Sequence, residues 1–212
     1  MLSYLDCIIF PDRCEVIEVI PSQRYVYPIF KNGRSSLLTA TAQNNWNIFF
    51  NEKIKKINTI DVFVRDPAER LASGISSFVQ TTVRDYPNLD VNTVIWFAEN
   101  YLYLNRHYAP QFLWLVNLAR YMNPECLLNF LDMKDLKTVT DMHERPFKKL
   151  KVNTDIPNRE MYERIDQILV DSIGTSMTFG QLIKHIHNKD IPAYDWVIGR
   201  SQRIIKPTYE LS

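Results

Sequence analysis

Apolar residues in this chain fall into short β-branched or aromatic runs that alternate with longer stretches at helical spacing. The segments Cys-Glu-Val-Ile-Glu-Val-Ile (14–20) and Arg-Tyr-Val-Tyr-Pro-Ile-Phe (24–30) have the character of strands, the second ending at Phe30. The next stretch, Ser36 to Phe50, has the length and composition of a helix. A β-branched run, Thr59 to Val64, then gives way to a helix whose start is well signalled. Asp66 is a natural N-cap, Pro67 fits the first helical position, and Glu69 falls where a capping-box acid reaches back. Leu71, Ile75, Phe78 and Val79 continue as an apolar stripe at helical spacing.

From Val94 to Met122 the pattern is helical but interrupted. The first helix should stop near Arg106, because Pro110 disfavours helical geometry in Ala109, and a second starts at Pro110. Glu125 to Leu136 reads as a short strand with a polar exit. Asn158 to Ile173 reads as an amphipathic helix with Met161, Ile165, Ile168 and Leu169 inward. Strand and helix alternation predicts an α/β fold in three layers, with a mostly parallel central sheet flanked by helices.

Composition narrows the picture. At 212 residues and 46% hydrophobic content the chain matches one ordinary α/β domain and can bury roughly 70% of its unfolded surface. A single domain over 1–212 is therefore expected, its C-terminal helical part covering about 151–212. Basic and acidic residues number 25 and 24, so nothing suggests an extended nucleic-acid or anionic-membrane surface. Any bound anion must be held by a local site. Cys7, Cys14 and Cys126 are odd in number, lack metal-ligand spacing and sit in or beside apolar runs, which favours buried free thiols. The first residues do not read as a signal peptide, and no run approaches the ~18 apolar residues of a membrane span. The expectation is a cytoplasmic protein.

Candidate chemistry begins at Tyr-Pro-Ile-Phe-Lys-Asn-Gly-Arg-Ser-Ser-Leu-Leu (27–38), where an apolar strand runs into basic and hydroxyl residues without one acidic residue. A loop between a strand's C-terminal end and a helix presents unpaired N–H groups and the positive end of the helix dipole. Gly33 permits close backbone approach, Ser35 and Ser36 add hydroxyl donors, and Lys31 and Arg34 add full charges. The same residues are also compatible with a surface turn that carries a serine cap and two solvated cations. The triphosphate loop G-x-x-x-x-G-K-[ST] does not fit, because the lysine here precedes the glycine. A second junction follows at Arg65, where strand meets helix, with Ser73 two turns into that helix and away from its apolar stripe. The pair would flank a second phosphate, arginine acting as a forked donor; alternatively Arg65 pairs with a carboxylate and Ser73 faces water.

Taken together, Phe-Lys-Asn-Gly-Arg-Ser-Ser-Leu (30–37) and Val-Arg-Asp-Pro-Ala-Glu-Arg-Leu-Ala-Ser-Gly (64–74) resemble the signature elements of sulfotransferases that use 3′-phosphoadenosine 5′-phosphosulfate. The first resembles their 5′-phosphosulfate loop, with Arg34 where threonine or serine is frequent. The second resembles their 3′-phosphate element, Arg-x-Pro-x-x-Arg-x-x-Ser, matched by Arg65, Pro67, Arg70 and Ser73. Asn-Arg-His-Tyr-Ala-Pro-Gln-Phe (105–112) is similar to the His-x-x-Pro-Gln motif of the membrane-type carbohydrate sulfotransferases, and Phe130 to Leu136 looks like the strand and acidic exit that follow there. The resemblance covers about 25–136.

That resemblance implies a P-loop-like nucleotide-binding fold and transfer of a sulfuryl group to an acceptor hydroxyl on a carbohydrate or small molecule, without a metal. It assigns Lys31 to the leaving group and the sulfuryl oxygens, Gly33, Arg34, Ser35 and Ser36 to the 5′-phosphate, and Arg65 and Ser73 to the 3′-phosphate. His107 becomes the base, with Glu99 in reserve. Arg70 reads as an ion-pair partner on the helix surface, and His143, His185 and His187 as surface residues. Trp96, Phe97, Tyr101, Tyr103 and Tyr108 serve as helix core or line an acceptor groove. Two other readings stay open: a kinase-like nucleotide enzyme, against which stands the missing acidic pair for magnesium, and a non-catalytic nucleotide- or glycan-binding member of the fold.

Overall fold

The computed structural model describes residues 14–29, 37, 46–94, 109–136, 159–189 and 195. Strands β1 (Glu15–Val19) and β2 (Arg24–Tyr27) form a hairpin around a short 3-10 turn, Ile20–Ser22. Gln23 closes that turn in the left-handed region, φ 52°, its N–H donating to Ile20 O at 3.2 Å. So short a connection joins only antiparallel strands, and Ile17 accordingly faces Val26. β3 (Trp46–Phe50) adds to the other side of β1, also antiparallel, with Val16 opposite Phe49 and Val19 opposite Trp46. This corrects the helical reading of Ser36 to Phe50 over Trp46–Phe50; Ser36 and residues 38–45 lie outside the described residues. Its last five residues are aromatic or β-branched at four positions and pack on the pleated surface of a neighbouring strand, while Leu37 is helical.

β4 (Thr59–Val64) has the bounds the sequence predicts. It lies parallel to β2, with Tyr27 level with Val62, and parallel to β5 (Leu127–Asp132), with Val64 level with Asp132. A strand flanked on both sides and buried on both faces needs an almost continuous apolar run. β6 (Ser176–Met177) completes the order β3-β1-β2-β4-β5-β6, antiparallel to β5. The fold is thus α/β, but the sheet is mixed rather than mostly parallel, with parallel pairing confined to its centre.

Helices α1 (Pro67–Asp85), α2 (Gln111–Ala119), α3 (Arg159–Asp171) and α4 (Phe179–Lys189) complete the described elements. One sheet face, carrying Val16, Tyr27, Val62, Val64, Leu128 and Phe130, forms the large core with α2, α3 and α4. Every residue of α2 from Gln111 to Leu118 is buried, as expected of a helix apolar nearly all round. The Tyr27 hydroxyl donates to Trp114 O at 2.9 Å, and Phe112 stacks on Phe179. Ile165, Ile168 and Leu169 of α3 point inward as its pattern predicts, and His185 and His187 lie at the partly exposed and exposed surface of α4. After α3 the chain turns through Gly174, φ 84°, a conformation glycine adopts without strain, and Gly174 N donates to Phe130 O at 2.8 Å.

The opposite sheet face holds a smaller cluster of Ile17, Val19, Val26, Leu37, Phe63 and Leu136. It also carries a polar ladder across four strands. Arg24 Nε donates to Asp61 Oδ2 at 2.5 Å, Asn129 Nδ2 to Asp61 Oδ1 at 3.0 Å, and Ser176 Oγ to Asn129 Oδ1 at 2.5 Å. Asp61 is the one charged side chain inside the β4 run, and its carboxylate satisfies both neighbouring strands.

Cys14 and Cys126 are buried free thiols, as their apolar surroundings suggest; burial pushes Cys14 up to about 12 and Cys126 to about 11. Cys7 lies outside the described residues. Among the described residues, no helix is long and apolar enough to cross a membrane.

Asp61→Ala should lower stability by about 1–3 kcal/mol, because the Asn129 amide and the Arg24 guanidinium lose their shared acceptor. Urea unfolding followed by tryptophan fluorescence reads the change. An unmoved midpoint would show that the ladder contributes nothing to stability.

Candidate functional site

Only Arg65 and Asp66 separate β4 from α1. Asp66 lies outside the helical region, φ −46° and ψ 127°, and its Oδ1 accepts the Glu69 N–H at 2.8 Å. Its own carbonyl accepts from Arg70 N at 2.9 Å. Pro67 occupies a first-turn position, where a missing N–H leaves no bond unmade. Asp66 and Pro67 thus take the cap and first-turn places the sequence predicts, while the Glu69 carboxylate stands beside Arg65. Leu71, Ile75 and Val79 are buried along α1, and Phe78 is half-buried.

Arg65 is held from two sides. Its backbone N–H donates to Gln111 Oε1 at 3.0 Å, and the Gln111 Nε2 amide donates back to Arg65 O at 2.8 Å. One side-chain amide thus reads the peptide at the junction as a second strand would. The Arg65 guanidinium lies 3.6 Å from Glu69 Oε2. Glu69 is more than half exposed, so water screens that pair. Ser73, two turns on within α1, is half-buried.

Arg70 departs from the surface ion-pair reading. It is 2% exposed, and its Nε and Nη2 make no hydrogen bond among the described residues. Burial lowers its pKa to about 10; the Asp166 carboxylate opposes that shift and the Arg65 charge adds to it. Asp166 is itself buried. Its Oδ2 accepts the Gln111 N–H at 2.9 Å and its Oδ1 the Phe112 N–H at 3.1 Å. Burial raises the Asp166 pKa against the pull of Arg70 and of these two N–H groups. A carboxylate from α3 thus takes the capping place at the start of α2 that Pro110 leaves open, since Pro110 makes no side-chain cap bond.

The structure brings Arg65 and Ser73 onto one strand-to-helix junction. It also sets the C-terminal ends of β2 and β4 side by side, on parallel strands. Lys31, Gly33, Arg34, Ser35, Ser36 and His107 lie outside the described residues, as do Phe30, Glu99, His143 and the aromatic residues from Trp96 to Tyr108. Sequence reasoning assigned no role to Gln111, although it stands in the quoted His-x-x-Pro-Gln stretch, and overlooked Asp166, whose only signal is an acid beside the inward Ile165. An open groove of about 470 Å³ over α3, lined by Glu160, Glu163, Arg164, Gln167, Ile168, Asp171 and Lys189, contains none of the motif residues. Among the described residues, no group of three or more His, Cys, Asp or Glu side chains has an arrangement to hold a metal ion. No protein-family model, curated protein or solved structure matches the chain.

Asp66→Ala removes the cap of α1 and should cost about 1 kcal/mol, a fall in Tm of about 2–4 °C at this chain length. Calorimetric melting measures it. An unchanged Tm would mean that α1 gains nothing from Asp66.

Proposed function

We propose that this protein is a sulfotransferase that moves a sulfuryl group from 3′-phosphoadenosine 5′-phosphosulfate to a hydroxyl, with carbohydrate as the acceptor class. The observation that carries this reading is the parallel pairing of β2 and β4. Two stretches with the family's donor pattern continue from neighbouring strand ends, and Lys31 follows Tyr27 so closely that the chain can separate them by at most ~14 Å. A donor with phosphate at both its 3′ and 5′ positions requires two such grips near one sheet edge.

The residue types at the β4 exit suit a phosphate monoester. Arg65 carries a forked charged donor, and Ser73, two turns into α1, adds a half-buried hydroxyl. In the reaction, the acceptor oxygen forms a bond to sulfur as the bond from sulfur to the bridging oxygen of the 5′-phosphate breaks. The acceptor proton passes to His107, and 3′-phosphoadenosine 5′-phosphate leaves. Lys31 neutralises charge growing on the bridging oxygen, while Gly33, Arg34, Ser35 and Ser36 hold the 5′-phosphate. These cations make a metal unnecessary to the mechanism.

Calorimetry without magnesium tests the reading: 3′-phosphoadenosine 5′-phosphate should bind more tightly than ADP or ATP. Arg65→Ala should weaken that binding by about 2–3 kcal/mol, the scale of lost charge-assisted hydrogen bonds, and leave ADP binding as it was. A preference for ATP with magnesium would replace this reading with a kinase-like one, and no nucleotide binding would end both.

Lys31→Ala should abolish transfer of labelled sulfate to acceptor glycans while nucleotide binding persists. Full turnover in that variant would remove Lys31 from the chemistry.

A further inference from the structure

If the β4 exit grips a 3′-phosphate, something must keep the Arg65 peptide in place against the pull of a dianion. Glu69 is too exposed to do so, but two buried side chains from distant segments form a continuous series of hydrogen bonds to that peptide. Asp166 accepts both N–H groups at the start of α2, those of Gln111 and Phe112. The Gln111 side chain, on that same turn, accepts from Arg65 N and donates to Arg65 O. Gln111 is 0% exposed and Asp166 4% exposed, so water does not compete for these bonds.

We propose that Gln111 and Asp166 are positioning residues for the nucleotide grip, with Asp166 setting the first turn of α2 and Gln111 transmitting that position to the Arg65 backbone. The proposal rests on the sulfotransferase reading for its ligand, but not for its geometry. Glutamine suits the task because its amide offers one acceptor and one donor in a plane, matching a peptide N–H and C=O. Glutamate would keep the acceptor and lose the donor. Aspartate suits position 166 because two oxygens meet two N–H groups, whereas asparagine would turn an NH₂ toward one of them. Neither residue needs to touch the nucleotide.

Two measurements on Gln111→Met and Asp166→Asn decide the matter, each variant judged separately so that one that fails to fold leaves the other to report. The first is hydrogen exchange of the Arg65 amide in the absence of nucleotide. Exchange should quicken at least tenfold in both variants relative to the Val62 amide within β4; unchanged exchange overturns the relay. The second is selectivity, the ratio of affinities for 3′-phosphoadenosine 5′-phosphate and ADP. That ratio should fall about tenfold in Gln111→Met, and adding Gln111→Met to Arg65→Ala should cause no further fall. Equal weakening of both nucleotides, or an additive loss in the double variant, would make Gln111 a general structural residue and overturn the proposal. A wild-type protein without selectivity for the 3′-phosphorylated nucleotide would sink the sulfotransferase reading instead, and the exchange arm would still decide the clamp.

Discussion

One buried carboxylate organises the packing of α2 and α3 against the β4–α1 junction. Asp166 is buried, where an uncompensated charge is costly, and its compensation comes from the N–H groups of Gln111 and Phe112 together with the positive charge of Arg70. The constraint acts in both directions. α2 needs an acceptor for its first N–H groups because Pro110 supplies none, and α3 can bury an acid only where such donors exist. Through Gln111 the same interaction reaches the peptide that joins β4 to α1. Three segments far apart in sequence therefore meet at one buried polar point.

Around that point the sheet does the coarse positioning and the junction the fine positioning. Parallel pairing of β2, β4 and β5 carries three strand exits to one edge, the arrangement in which α/β proteins hold ligands. The Arg24–Asp61–Asn129–Ser176 ladder ties β2, β4, β5 and β6 on the opposite face, so a slip between any two of these strands would break a specific bond as well as displace apolar contacts.

Sequence reasoning reached the parts of this fold that depend on local signals. β4 and the start of α1 were legible because a β-branched run meets an Asp-Pro cap, and α3 because its stripe is strongly periodic. β3 was not, since Trp-Asn-Ile-Phe-Phe follows a helix-compatible stretch and only its pairing with β1 makes it a strand. Antiparallel pairing at the sheet's edge was likewise hidden, because the turn at Ile20–Ser22 contains no glycine and uses Gln23 in a left-handed conformation. Within the candidate site, Arg65 and Ser73 could be named from spacing. Gln111 and Asp166 could not be given their roles, because a hydrogen bond across 46 or 55 residues leaves no local trace.

The separation between Arg65 and Asp166 also imposes an order in time. A ribosome adding about 5–20 residues per second delivers Asp166 roughly 5–20 seconds after Arg65, so a nascent chain holds β4 and α1 well before the carboxylate that closes the first turn of α2. Until then Gln111, the residue that bonds the Arg65 backbone, lacks the carboxylate that sets its own turn. Completion of the β4–α1 junction then becomes a late event in the life of the polypeptide, reached only after α3 has been made and docked.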